Sequence, residues 1–170
     1  MRNWAHVGFD DALRLGAASS IARASEIIRL TTEAIMKPHG LTQTRHELLN
    51  VLYMSRNGEL PMGKIGSRMF LHPTSVTSAV DGLERLGFVE RVAHPVDRRT
   101  TLARITPAGR ELLQETAPDI VATRYGLGVL DEDELRELVR LLRKVRLDNG
   151  DFVDPETEVA LDPSDPPARG

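Results

Sequence analysis

The sequence predicts a mainly α fold with one small β-hairpin, an α+β arrangement in which helices precede and follow a compact central module. Three observations support it. Between Leu60 and Gly109 the chain reads as a short helix, a turn, a second helix and a hairpin with a basic tip. That is the order of elements in a winged helix-turn-helix. Outside this stretch, apolar residues recur at intervals of three, four and seven, the spacing of one helix face. Proline and glycine fall between these periodic segments rather than within most of them, so they mark boundaries.

The elements follow in order. Trp4 and Phe9 are the main large apolar residues before Asp10, with packing on the first helix and, for Trp4, contact with an aromatic ligand as the two readings. Leu13, Ala17, Ile21, Ala24, Ile28 and Ile35 predict a long helix from Asp10 to Met36, ended by Lys37-Pro38-His39-Gly40. Thr42 caps a second helix reaching Arg56, with Leu48, Leu49, Leu52 and Tyr53 inward, and Asn57-Gly58 is a turn. Glu59–Pro61 is placed as a short strand beside the hairpin.

In the central module, a helix from Met62 to Met69 buries Ile65 and Met69 and turns at Phe70–His72. Pro73 then opens the next helix, where its missing N–H costs nothing. Val76, Ala79, Val80, Leu83 and Leu86 form its apolar face. The opposite face carries Thr74, Thr77, Ser78, Asp81 and Arg85, short hydrogen-bonding side chains suited to base edges in a major groove. Gly87 ends the helix. Extended segments at Phe88–Ala93 and Thr100–Thr106 flank the tip Pro95-Val96-Asp97-Arg98-Arg99, where Arg98 and Arg99 suit a minor groove or phosphates. Arg91 and Arg104, on the hairpin strands, are read as secondary phosphate contacts or as partners of Glu90 or Asp97.

Thr106-Pro107 starts a further helix to Tyr125, carrying Leu112, Leu113, Ile120 and Val121, with Pro118 expected to kink or split it. Asp131 and Glu134 form a capping-box start for the last helix, striped by Leu135, Leu138, Val139, Leu142 and Val145 as far as Leu147. The tail beyond is acidic and proline-rich, a composition expected to stay disordered.

Charge distribution points to nucleic acid despite a net charge of −3. From Met62 to Arg110 there are eight basic residues against four acidic ones, while acidic residues dominate after Leu147. The absence of cysteine excludes disulfides, thiolate zinc sites and cysteine nucleophiles. No apolar run suits a membrane span and no leader precedes the first helix, which predicts a cytoplasmic protein.

The central residues resemble the MarR family of bacterial transcription regulators. The family's wing pattern is met by Asp97, Arg99, Ala103, Ile105, Thr106 and Gly109, and the stretch from Thr74-Ser75-Val76-Thr77 to Val89-Glu90-Arg91 is similar to its recognition helix and first wing strand. The resemblance spans Leu13 to Leu147. It implies that Thr74, Ser75, Thr77, Ser78 and Arg85 read the major groove and that Arg99 reaches the minor groove, oriented by Asp97. It implies a homodimer built on the outer helices, and a small aromatic or acidic effector held near Arg45, His46 and Tyr53. For Tyr53 and Arg45 the alternative is a core ring and a surface ion pair. With no Cys, the thiol-oxidation sensing used by part of the family is excluded. His72 stands where Ser or Asp commonly caps the recognition helix, so a softer helix start is expected.

The domain layout expected is a helical dimerisation region at 10–56 and 107–147, a winged helix-turn-helix at 57–106, and the tail at 148–170. Catalysis is not expected. His46-Glu47 begins a zinc-protease pattern, but Asn50 stands where the second histidine belongs, and no phosphate loop or cofactor motif is present. A metal site assembled in space from His39, His46 and a carboxylate is the minor alternative. The reading is therefore a homodimeric, sequence-specific regulator, a repressor released from a palindromic operator by an effector. The alternative is an architectural or protein-interaction module without sequence readout.

Overall fold

A computed structural model describes residues 11–97 and 99–151. Trp4, Phe9, Arg98 and the tail from 152 onward lie outside the described residues. Six helices and three strands follow in the order α1 (Ala12–Met36), α2 (Gln43–Tyr53), β1 (Glu59–Pro61), α3 (Met62–Met69), α4 (Pro73–Arg85), β2 (Val89–Ala93), β3 (Thr101–Ile105), α5 (Pro107–Ala122) and α6 (Glu132–Asp148). Among the described residues no helix is long and apolar enough to cross a membrane.

Side-chain caps set most helix starts. Asp11, Thr42 and Thr106 each accept the backbone N–H three residues on, and Asp131 with Glu134 makes a full capping box. His72 is a working cap. Its Nδ1 accepts the Thr74 N–H at 3.3 Å, so the softer start expected of α4 is replaced by an imidazole that supplies the missing acceptor.

The sheet runs β1-β3-β2, all antiparallel. Its register sets Glu59 opposite Arg104 and Arg104 opposite Glu90, so one cation stands between two carboxylates on one face. Arg104 Nε lies 2.6 Å from Glu59, and its Nη1 3.5 Å from Glu90.

One core joins the central module to its neighbours. Leu48, Leu49 and Leu52 of α2 are fully buried against Ile65 of α3, Val80 and Leu83 of α4, and Ala103 of β3. Although α2 groups with the outer helices in sequence, its apolar face completes the core beneath α3 and α4. Tyr53 lies outside that core, 40% exposed.

One expectation changes in α5, while α6 keeps the uncovered apolar stripe read from its sequence. α5 is not split at Pro118, and both Pro118 and Gln114, whose carbonyl loses its helical partner, lie on the exposed side of the helix. Val121 is exposed. α6 has no buried residue at all, and Val139, Leu141 and Val145 face solvent.

Candidate nucleic-acid interface

α4 presents two faces of opposite character. Val76, Ala79, Val80 and Leu83 are buried, whereas Thr74, Ser75, Thr77, Ser78, Asp81 and Arg85 are exposed. Pro73, Thr74, Thr77, Ser78, Asp81 and Arg85 line one shallow open surface. Four of the five α4 residues expected to read bases thus converge, while Ser75 is turned about 100° from Thr74 round the helix and lies outside this lining. Asp81, expected on the polar face but not among the residues implied to read bases, lines it with them.

Asp81 is neutralised. Arg91 Nη2 reaches Asp81 Oδ1 at 2.6 Å, its Nη1 bonds Glu84, and its backbone N–H donates to Glu84 Oε1 at 3.2 Å. The reading of Arg91 as a partner of Glu90 or Asp97 is therefore corrected. In the hairpin it sits across from α4, and the side chain spacing of Asp81 and Glu84, one helical turn apart, matches a guanidinium fork. Both terminal nitrogens of its guanidinium bond these carboxylates, so Arg91 ties the hairpin to α4.

At the hairpin tip Asp97 builds the turn. Its Oδ1 accepts the Arg99 N–H at 3.0 Å, and its Oδ2 accepts the Thr100 hydroxyl at 2.7 Å. The Thr100 hydroxyl and the Arg99 N–H hold the Asp97 carboxyl below its ordinary pKa. Asp97 orients Arg99 through the backbone, not through the guanidinium. The Arg99 side chain is exposed and pairs with none of the described residues.

A family model described as MarR family matches residues 39–100. The HTH-type transcriptional regulator MhqR of Bacillus subtilis (strain 168) is 36% identical over 115 residues, spanning 67% of this chain and 78% of that protein. The chain belongs to the MarR family. Among solved structures, Sco5413, a MarR family transcriptional regulator from Streptomyces coelicolor, superposes with a TM-score of 0.75 at 43% identity, covering 84% of this chain and 99% of that one. The same fold recurs in Sco3205 from the same organism, solved in complex with DNA, with a TM-score of 0.69 at 24% identity over 76% of this chain and 82% of that one. The α4 face and the wing therefore belong to a transcriptional regulator rather than an enzyme.

In this MarR-family chain the three effector candidates on α2 do not form one cluster. Arg45 donates to the Gly40 carbonyl at 2.9 Å, and its guanidinium lies over Gly82 of α4, where a Cβ would meet it at 2.4–2.5 Å. It forms no ion pair among the described residues. His46 and Tyr53 share one stripe of the helix with Asn50, whose side-chain nitrogen lies 3.3 Å from His46 Nδ1. The Tyr53 ring packs under the Arg110 guanidinium, 5.7 Å from its centroid.

Burial lowers the His46 pKa, with Glu47 opposing by a smaller amount. The folded chain therefore resists a proton that the unfolded chain accepts at the ordinary value of 6.5. Stability should fall as pH drops below about 6.5 and level off below the folded pKa. His46→Gln is expected to flatten this part of the profile, measured by urea unfolding at about pH 7.5 and pH 5. An unchanged slope would place the acid-side loss elsewhere.

Proposed function

We propose that this protein is a homodimeric, sequence-specific DNA-binding regulator acting in the bacterial cytoplasm, a repressor released from a palindromic operator by a small effector. The observation that carries the DNA reading is the α4 face. Its hydroxyl-bearing residues and Arg85 stand exposed while the other side of the helix is locked into the core, so the helix offers base-reading groups on a rigid mount. Arg99 at the wing tip, uncommitted to any described carboxylate, supplies the second contact, with Arg98 beside it in sequence. Thr74, Ser75, Thr77, Ser78 and Arg85 are the proposed major-groove set. Arg91 and Asp97 serve as supports for it.

The homodimer is supported by α6. A helix with a strong apolar stripe and no buried residue gains most from a partner, and exposed Ile21, Ile27 and Leu30 on α1 extend the same need. Two-fold pairing would set two copies of α4 about 34 Å apart, one DNA turn. For the small aromatic or acidic effector, Tyr53 is the candidate most open to contact, because Arg45 is already bonded to Gly40.

The test is selection of bound duplexes from a random pool at near-physiological salt. An inverted repeat with half-sites about 10 bp apart, preferred over scrambled DNA by about a thousandfold, is the expected result. Arg99→Ala should then weaken binding by on the order of 1–3 kcal/mol without changing the dimer. No enriched motif, with binding that vanishes as salt rises, would establish the architectural module instead.

A further inference from the structure

The wing tip lies beyond the support of the sheet. β2 ends at Ala93 and β3 begins at Thr101, and the next backbone bond across the hairpin is the His94 N–H donating to the Thr100 carbonyl at 3.1 Å. Past it, the chain must reverse over five residues, of which Pro95 has no N–H to give. The Thr100 N–H donates to the Asp97 carbonyl at 2.9 Å, and two side chains complete the reversal. His94 Nδ1 accepts the backbone N–H of Val96 at 3.2 Å and of Asp97 at 3.1 Å. Asp97 in turn accepts the Arg99 N–H and the Thr100 hydroxyl. The two caps are nested: His94 seats Asp97, and Asp97 seats the backbone of Arg99.

We propose that His94 is the positioning residue of the wing, holding the Arg99 guanidinium at the DNA through the Val96 and Asp97 amides rather than by touching DNA itself. The inference rests on the proposed role of Arg99. Without the His94 acceptor, two amides at the tip lose their partner to water, and the turn that aims Arg99 becomes one of many. Asparagine keeps the function, because its carboxamide oxygen bonds the N–H two residues on in the same way.

The experiment measures Kd of the full chain for a fluorescein-labelled duplex carrying the pool-selected sequence. The variants are His94→Ala, His94→Asn, Arg99→Ala and the double alanine. His94→Ala should weaken binding about tenfold, and His94→Asn should stay within about twofold of the parent. In the Arg99→Ala background, His94→Ala should add nothing, since its effect runs through that guanidinium. Equal losses for His94→Ala and His94→Asn would mean that the imidazole contacts DNA, and additive losses in the double variant would mean that it acts apart from Arg99. Either overturns the proposal. A loss for Arg99→Ala with none for His94→Ala overturns it while leaving the wing's role intact, and no loss for Arg99→Ala removes the wing's role and the proposal with it.

Discussion

Ile21→Glu combined with Val145→Glu is expected to convert the protein to a monomer and to weaken binding to the selected duplex by about a hundredfold or more. The two positions lie on α1 and α6 and are 46% and 56% exposed in the single chain. A carboxylate there costs the isolated subunit little, since surface substitutions are mostly within about 0.5 kcal/mol. Inside a dimer interface the same carboxylate would be stripped of water with no cation to pair, a penalty of several kcal/mol. Loss of the dimer separates the two reading helices, and each half-site must then be bound without the other. Light scattering and DNA titration on the same sample check both parts. An intact dimer would show that the apolar faces of α1 and α6 are covered in some other way, and tight binding by a monomer would detach DNA recognition from dimerisation.

Gly109→Ala is expected to cost about 3 kcal/mol, toward the upper end for overpacking, and to lower Tm by roughly 6–12 °C. Gly109 sits in the first turn of α5, where its N–H donates to the capping Thr106 hydroxyl at 3.1 Å. A Cβ there would lie 2.4 Å from the Phe88 carbonyl oxygen and 2.9 Å from Ile105. Phe88 cannot withdraw freely, because its carbonyl accepts the Thr106 N–H and the Thr106 hydroxyl bonds the Gly87 carbonyl. This knot joins the end of α4, the wing and α5. Gly63→Ala on α3, where no atom lies within 4 Å of the new Cβ, is the matched control. It should be neutral or gain up to about 1 kcal/mol. Thermal unfolding of both variants decides the matter, and equal Tm values would mean that the Phe88–Thr106 knot yields without strain.

Local rules settled much of this protein from its residues alone. Thr42, Thr106 and Asp131 cap helices because a side-chain oxygen can reach the amide three residues on, a relation that needs no tertiary partner. The apolar face of α4 and the polar face opposite follow from helical periodicity, and β1 beside the wing follows from the turn at Asn57-Gly58. The resemblance carried by Asp97, Arg99, Thr106 and Gly109 was equally legible, as was the family it names. What periodicity cannot say is which partner a face or a charge finds. Arg91 meets Asp81 and Glu84 because the hairpin folds back onto α4, a distance of ten residues in sequence and one ion pair in space. Tyr53 leaves the core and Arg45 turns to Gly40 and Gly82 because α2 packs on α4 through Leu48, Leu49 and Leu52, fixing which of its sides remain open. His72 and His94 become acceptors because the chain turns back on each ring, bringing the Thr74 amide to His72 Nδ1 and the Val96 and Asp97 amides to His94 Nδ1. The residue types and their spacing determined the elements and the family, and even the caps at His72 and His94 are local, while the pairing of Arg91 with α4 and the surroundings of Arg45 and Tyr53 depended on chain segments brought together by the shared core.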